Sequence, residues 1–317
     1  MNLSLELKTA YEWRQKLGLL QNTETLRIFY DPATIAIDLF QEHAWITQWG
    51  NLRAHILPDT IAFLKELSPW GKKIQSIVLM DRSQVASEKE VHTLWGTPPT
   101  SRFSVTENKV PYLIQLDHGK HPGLFLDHAP LREYLTTTQA KKRVLNLFSY
   151  TGSLSVAAGV AGAEHVTTLD LSKSTIEWAE ANWANAKLDS AHARFIYGDV
   201  FEWLPKFIKK NEQYDTILCD PPSFSRSKNG VFSTNKDSQR LHELILPLLK
   251  VNGVLVTSIN SENYPEQAFL RDIHDASEKT GASLQVLKRI DLPESFATST
   301  RDLGERYLKG FYLIRTT

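Results

Sequence analysis

A single cysteine, Cys219, is present among the 317 residues. One thiol cannot build a disulfide framework or a cysteine-based zinc site, so no metal centre is expected, and it fits a reducing compartment. An excess of one charge sign is also missing: Lys plus Arg and Asp plus Glu each number 36, for a formal net charge of zero. The simplest signature of a nucleic-acid binder, a strongly basic chain, is therefore absent, although a local basic patch is not excluded. No apolar run approaches the roughly 20 residues that a membrane span needs. The stretch Met1 to Lys8 mixes acidic and basic residues with no apolar h-region behind it, so no signal peptide is expected. These absences point to a cytoplasmic protein that does not engage a membrane.

What is present is an alternation. From Lys141 onward, apolar segments suited to buried parallel strands take turns with helical segments. Strands are expected at Val144–Phe148, His165–Leu169, Arg194–Tyr197, Tyr214–Cys219, Val254–Ile259, Ser283–Ile290 and Tyr307–Arg315. Helices are expected at Leu154–Ala161, Lys173–Lys187, Asp237–Lys250 and Pro265–Thr280, the third stopping before Asn252-Gly253. Seven strands interleaved with helices predict a Rossmann-like, doubly wound α/β sheet, which binds ligands at the carboxyl ends of its strands. The first 120 residues read differently. An amphipathic stretch from Leu5 to Leu20, short strands and a helix near Pro58-Asp59 predict a smaller α+β domain, a candidate for substrate recognition. The expected boundary lies at the turn His118–His121, separating domains at 1–120 and 121–317.

Three strands end on acid: Asp170, Asp199 and Asp220. A nucleoside offers ribose hydroxyls and an adenine amine, all donors that a carboxylate accepts. A strand-ending Asp can equally cap the helix that follows. The first strand–helix turn, Asn146-Leu147-Phe148-Ser149-Tyr150-Thr151-Gly152-Ser153, is neither G-x-G-x-x-G nor a Walker A loop, which disfavours a nicotinamide dinucleotide and a P-loop nucleotide. A sulfonium cofactor carries no phosphate and needs fewer glycines. Gly152 then leaves room for its amino-acid tail near the helix start. In Asp220-Pro221-Pro222-Ser223-Phe224, two prolines stiffen the exit from a buried strand and an aromatic ring follows. Carbonyls and Asp220 suit the amine of a flat base, and Phe224 suits stacking on it. The plainer reading is a rigid turn with a core phenylalanine.

Gly123-Leu124-Phe125-Leu126-Asp127-His128, the Phe148–Gly152 turn and Asp220-Pro221-Pro222-Ser223-Phe224-Ser225-Arg226-Ser227-Lys228 stand in one order along the chain. Together they resemble the bacterial large-subunit ribosomal RNA methyltransferases of the K/L and I types, more closely the guanine-N7-methylating half of the K/L enzyme. The resemblance runs from about Leu26 to the end. It implies a class I methyltransferase fold and S-adenosylmethionine as cofactor. It places Phe125, Asp127 and His128 over the cofactor, and Phe148, Ser149, Tyr150, Thr151 and Gly152 around its methionine portion. Asp170, flanked by Leu171 and Ser172, would hold the ribose; Asp199, beside Val200, the adenine; and Asp220 to Phe224, Pro222 included, the reacting edge. Ala129 stands where the family usually has an arginine, and Arg132 is retained.

Methylation at cytosine C5 requires a cysteine nucleophile. The fifth strand, ending Val256-Thr257-Ser258-Ile259-Asn260, has none, and alternation points Cys219 away from the face of Asp220. A base nitrogen needs only alignment, for which Asp220, the Pro221 backbone and Phe224 are the candidate positioning groups. Arg226 and Lys228 are candidate phosphate contacts beside Phe224 on the substrate side. Lys141, Lys142 and Arg143 precede the first strand, at the opposite end, and read as a solvated edge. Ribosomal RNA is the expected partner. A small-molecule or protein substrate on the same fold, and a non-catalytic cofactor binder, remain as alternatives.

Overall fold

The computed structural model describes residues 3–31, 33–50, 55–82, 91–117, 121–228, 230–261, 263–297 and 308–317. They divide into two compact units, Met1–Ala129 with Leu292–Asp302, and Pro130–Asp291 with Leu303–Thr317. The division differs from the expected boundary at 120/121, whose turn lies largely outside the described residues. The short turns Leu126–His128 and Glu294–Phe296 both pack against strand Thr25–Tyr30 of the first unit. Arg14 Nη2 donates to the Ser295 carbonyl (2.6 Å) and the Arg27 guanidinium lies 4.2 Å over the Phe296 ring, which returns this late segment to the N-terminal unit.

In the first unit, α1 (Leu3–Lys16), β1 (Thr25–Tyr30), β2 (Ile35–Phe40), β3 (His43–Gln48), α2 (Ile56–Glu66), β4 (Ser76–Asp81), β5 (Val91–Gly96), β6 (Phe103–Glu107) and β7 (Val110–Ile114) follow in order. The first five strands form one sheet, β1-β2-β3-β4-β5, and β6–β7 a hairpin. The β2 strand is buried at every position, and Leu7, Tyr11 and Leu64 of the two helices join its core. On β2, Asp38 holds Arg27 through two hydrogen bonds, of 2.7 and 2.8 Å. That fork–fork geometry satisfies a charge that burial would otherwise penalise.

After α3 (Ala129–Thr138), the second unit runs β8 (Arg143–Leu147), α4 (Ser153–Val160), β9 (His165–Asp170), α5 (Lys173–Asn185), β10 (Ala193–Tyr197), α6 (Val200–Lys209) and β11 (Tyr214–Cys219). It continues through β12 (Phe224–Ser227), β13 (Gly230–Ser233), α7 (Thr234–Ile245), β14 (Leu249–Ile259), α8 (Glu266–Thr280), β15 (Leu284–Arg289) and β16 (Lys309–Arg315). Seven strands make one sheet in the order β10-β9-β8-β11-β14-β16-β15. Its first five members are parallel and β16 is antiparallel to both neighbours. The central strands are sealed by helices on both faces, which is why they read as continuous apolar runs. Chain order reverses between β8 and β11, so the turns leaving these two strands flank the switch-point crevice.

One expected element is corrected. The helix predicted to reach Lys250 ends at Ile245, is followed by a tight turn over Leu246–Leu248, and yields to an 11-residue β14. Pro247 has no N–H to continue a helix. Leu249 already pairs with Tyr214, and the ladder resumes at Val254 opposite Thr216. Asn252, at φ 63°, and Gly253 thus form a bulge within a strand instead of a helix stop.

Candidate functional site

The turn after β8 is built from left-handed residues in alternation: Phe148 (φ 53°), Tyr150 (φ 50°) and Gly152 (φ 74°). Two of the three are bulky, a conformation that persists only where surroundings impose it. Asp170, at the end of β9, holds the middle of the turn at Tyr150. One carboxylate oxygen accepts from the Tyr150 N–H (2.9 Å); the other accepts from the Ser172 N–H (2.8 Å) and the Thr175 hydroxyl (3.0 Å). Burial pushes the Asp170 carboxyl above the usual carboxylate range, and these same hydrogen bonds pull against it. The Ser149 N–H donates to the Leu169 carbonyl (3.1 Å) and the Thr151 carbonyl accepts from buried Asn182 (2.9 Å). Ser149 is buried, and its hydroxyl finds no hydrogen-bond partner among the described residues.

Gly152 serves packing: a Cβ there would stand 2.7 Å from the Ala179 Cβ of α5. The missing side chain therefore admits a helix, where the sequence suggested room for a ligand tail. Below the turn, Asn146 and Thr168 both donate to the Ser155 hydroxyl, at 2.9 and 2.8 Å, a buried polar joint between β8, β9 and α4.

Asp199 caps α6, its Oδ1 accepting from the Phe201 N–H (2.9 Å). Its Oδ2 accepts from the Ser227 hydroxyl (2.6 Å). The helix cap and the contact with the segment after β11 thus fall on different oxygens. Val200 turns its side chain into the core; Leu171 is partly exposed and Ser172 caps α5. Phe125, Asp127 and His128 belong to the first unit, where Phe125 is exposed and its ring stacks on His121 at 4.0 Å between centroids.

At the end of β11, Asp220 accepts from the Ser258 hydroxyl of β14 (2.5 Å). The Pro222 carbonyl accepts from the Thr234 hydroxyl (2.8 Å), and Ser223 donates to Asn260 (3.0 Å). Lys309 braces the loop beyond Asn260, donating to the carbonyls of Ser261 (2.8 Å) and Tyr264 (3.0 Å). The chain then enters a hairpin that the sequence reading missed. Phe224 pairs with Ser233, Ser225 with Phe232, Arg226 with Val231 and Ser227 with Gly230. Side chains alternate along a strand, so Phe224 and Arg226 share the outer face while Ser225 and Ser227 turn inward, and Lys228 follows in the turn after β12. Phe224 is 57% exposed, and Arg226 and Lys228 are exposed with it. The Lys228 ammonium lies 3.4 Å from Glu202, an exposed pair of little energetic weight.

Cys219 is 1% exposed within the sheet core, and burial, with the nearby Asp220 charge, raises its pKa. That is the inert position expected for it.

A mostly parallel sheet with this order, an acid closing its second strand and an Asp-Pro-Pro turn at the switch point define a class I methyltransferase architecture. Residues 35–308 match the family model described as S-adenosylmethionine-dependent methyltransferase, and the chain belongs to that family. It is 30% identical over 312 residues to YwbD of Bacillus subtilis (strain 168), provisionally designated a ribosomal RNA large subunit methyltransferase. That match covers 96% of this chain and 78% of YwbD. It is also 30% identical over 284 residues to the ribosomal RNA large subunit methyltransferase K/L of Psychrobacter cryohalolentis, covering 84% of this chain but only 36% of that protein. A solved structure of SMU.776 complexed with SAH superposes with a TM-score of 0.88 at 28% identity, over 99% of this chain and 82% of that one. The protein is an S-adenosylmethionine-dependent methyltransferase. The partnerless Ser149 hydroxyl and the Asp170 carboxylate fit such a cofactor, one able to donate or accept at its amino-acid end and the other to accept from its ribose.

Proposed function

We propose that this enzyme methylates a base nitrogen of large-subunit ribosomal RNA, guanine N7 or an exocyclic amine, by direct in-line transfer. The observation that carries the reading is the outer face of the β12–β13 hairpin. An exposed aromatic at the end of the Asp-Pro-Pro turn is followed at alternate positions by two cations, a layout suited to a splayed base and its phosphates. The names of the relatives support the same substrate.

Bound S-adenosylmethionine supplies a methyl group on a sulfonium, whose departure needs no acid from the protein. In our reading the Phe148–Gly152 turn holds the methionine portion, Asp170 with Leu171 and Ser172 the ribose, and Asp199 with Val200 the adenine. Asp220, held by Ser258, works with the Pro221 backbone and Pro222 to orient the acceptor nitrogen. Phe224 stacks on the base, and Arg226 and Lys228 take the phosphates. No protein nucleophile takes part, since burial keeps the Cys219 thiol protonated and out of reach. The N-terminal unit contributes to RNA recognition, and an RNA substrate puts the work in the cytoplasm.

The deciding experiment incubates the enzyme and labelled S-adenosylmethionine with large-subunit ribosomal RNA transcribed in vitro, then maps the product by mass. A single methylated guanine or amine-bearing base is expected. Labelling of protein or small molecules from an extract, with none on RNA, would replace this reading.

A further inference from the structure

Hairpins with strands of four residues do not hold their shape alone; something must seat them. Here the inner face meets two loops that leave different strands. Ser227 donates to Asp199 Oδ2 at 2.6 Å. Phe232 is buried, stacks on Phe148 (centroids 5.7 Å, planes 28° apart) and packs on Phe201 (5.6 Å). Thr234 fixes only the base of the hairpin, through the Pro222 and Ser223 carbonyls.

Phe148 opens the turn after β8, and Asp199 ends the loop after β10. These loops are the ones assigned above to the methionine and adenine ends of the cofactor. We infer that Ser227 and Phe232 are positioning residues that key the outer, substrate-facing side of the hairpin to both ends of the cofactor site. Seating of the hairpin and binding of the cofactor are then linked and reinforce each other, because linkage is reciprocal. The cap bond from Phe201 to Oδ1 fixes the Asp199 carboxylate, so the second oxygen meets Ser227 at one position only. Phe148, at positive φ, opens the turn that Asp170 holds at Tyr150, so the ring beneath Phe232 belongs to that turn. The inference rests on the assignment of the outer face to substrate only for its consequence, that a base meets Phe224 in register with the methyl group.

The test is amide hydrogen exchange of the whole protein, with and without S-adenosylhomocysteine and with no RNA present. In the parent, the ligand should slow exchange at Ser225, Ser227, Gly230 and Phe232, the N–H groups of the hydrogen-bonded pairs. Ser227→Ala should lose this slowing and, because linkage is reciprocal, weaken cofactor binding by a matching, few-fold factor, and Ser227→Thr, which restores a hydroxyl, should regain both. Phe232→Leu, chosen to keep the core filled, should lose part of it. Exchange in β8 and β11 reports that each variant is folded. Parental slowing in Ser227→Ala, or no slowing in the parent, overturns the inference. So does a collapse of cofactor affinity in Ser227→Ala, which would put Ser227 in the pocket itself. With transcribed ribosomal RNA, Ser227→Ala should lower kcat/KM by about tenfold or more, as expected for losing a hydrogen bond to a charged group, with rescue by Ser227→Thr. Exchange reads the linkage and transfer reads the substrate, so failure of one is distinguishable from failure of the other.

Discussion

The turns after β8 and β9 are closed on themselves, whereas the hairpin after β11 presents its outer face to solvent. Around Asp170, one carboxylate accepts three hydrogen bonds, from Tyr150, Ser172 and Thr175. On the hairpin, Phe224, Arg226 and Lys228 spend little on contacts with their own chain. In the proposed reading, the difference teaches how one sheet edge serves two ligands. A small cofactor of fixed shape suits a preorganised pocket whose backbone is held in place beforehand. A long polyanion is read by an exposed ring and mobile cations, and tolerates a looser surface.

Breaking the closed side should have the largest effect. Asp170→Ala is predicted to weaken S-adenosylmethionine binding by roughly tenfold to a hundredfold, measured by calorimetry, since a charged acceptor is lost. It should also lower the urea midpoint, because the Tyr150 and Ser172 N–H groups lose their acceptor. Unchanged affinity in a folded variant would remove Asp170 from the site. On the open side, Phe224→Ala should cost methyl transfer to RNA about 1–3 kcal/mol in kcat/KM while cofactor affinity holds. Equal loss of cofactor binding would move the ring into the closed pocket and erase the contrast.

Acid should act on the sealed core and spare the surface. Buried His242 is neutral, its Nδ1–H donating to the Ser238 carbonyl and its Nε2 accepting from Thr257, and burial lowers its pKa to about 4. Between that value and the ordinary 6.5, the unfolded chain binds the proton and the native state does not, so stability rises with pH in this window. Its stabilising share is complete above pH 6.5 and falls away towards pH 4. The loss from this group is about 2 kcal/mol at pH 5 relative to pH 8. Urea titrations of the parent and of His242→Gln at both pH values check it: the variant should lose that part of the pH slope.

Smaller still is the double change Arg226→Ala with Lys228→Ala. It should flatten the salt dependence of RNA binding by up to about two phosphate contacts, with cofactor affinity unaltered. A parental salt slope would favour a small-molecule or protein substrate. The smallest change is Cys219→Ser, expected to retain most methyl transfer after a modest stability loss from a buried hydroxyl. An inactive but folded variant would refute transfer without a cysteine.

The doubly wound sheet was legible because its buried strands carry unbroken apolar runs and end on acids or turns. Legibility failed where a polar segment adopts regular structure. Phe224-Ser225-Arg226-Ser227-Lys228 alternates with a period of two and is followed by Asn229-Gly230, a hairpin signal, yet no strand was expected there. The end of α7 was misplaced because Leu249 and Lys250 continue a helical pattern, and only pairing with Tyr214 makes them strand. Among the proposed site residues, Asp170 and Asp199 stand out by their place at strand ends. Their partners do not, since Tyr150 and Ser227 reach them from other elements across 20 and 28 residues of sequence.

The burial of Cys219 also shapes how the enzyme can be watched at work. With its one native thiol sealed in the core and its pKa raised, surface labelling chemistry has no background target. A cysteine introduced at an exposed position, such as Glu177→Cys on α5, becomes a unique handle for a fluorophore or spin probe in the otherwise native sequence. Paired with a second such handle at Val231→Cys on the hairpin, it turns hairpin seating into a distance that can be followed in solution.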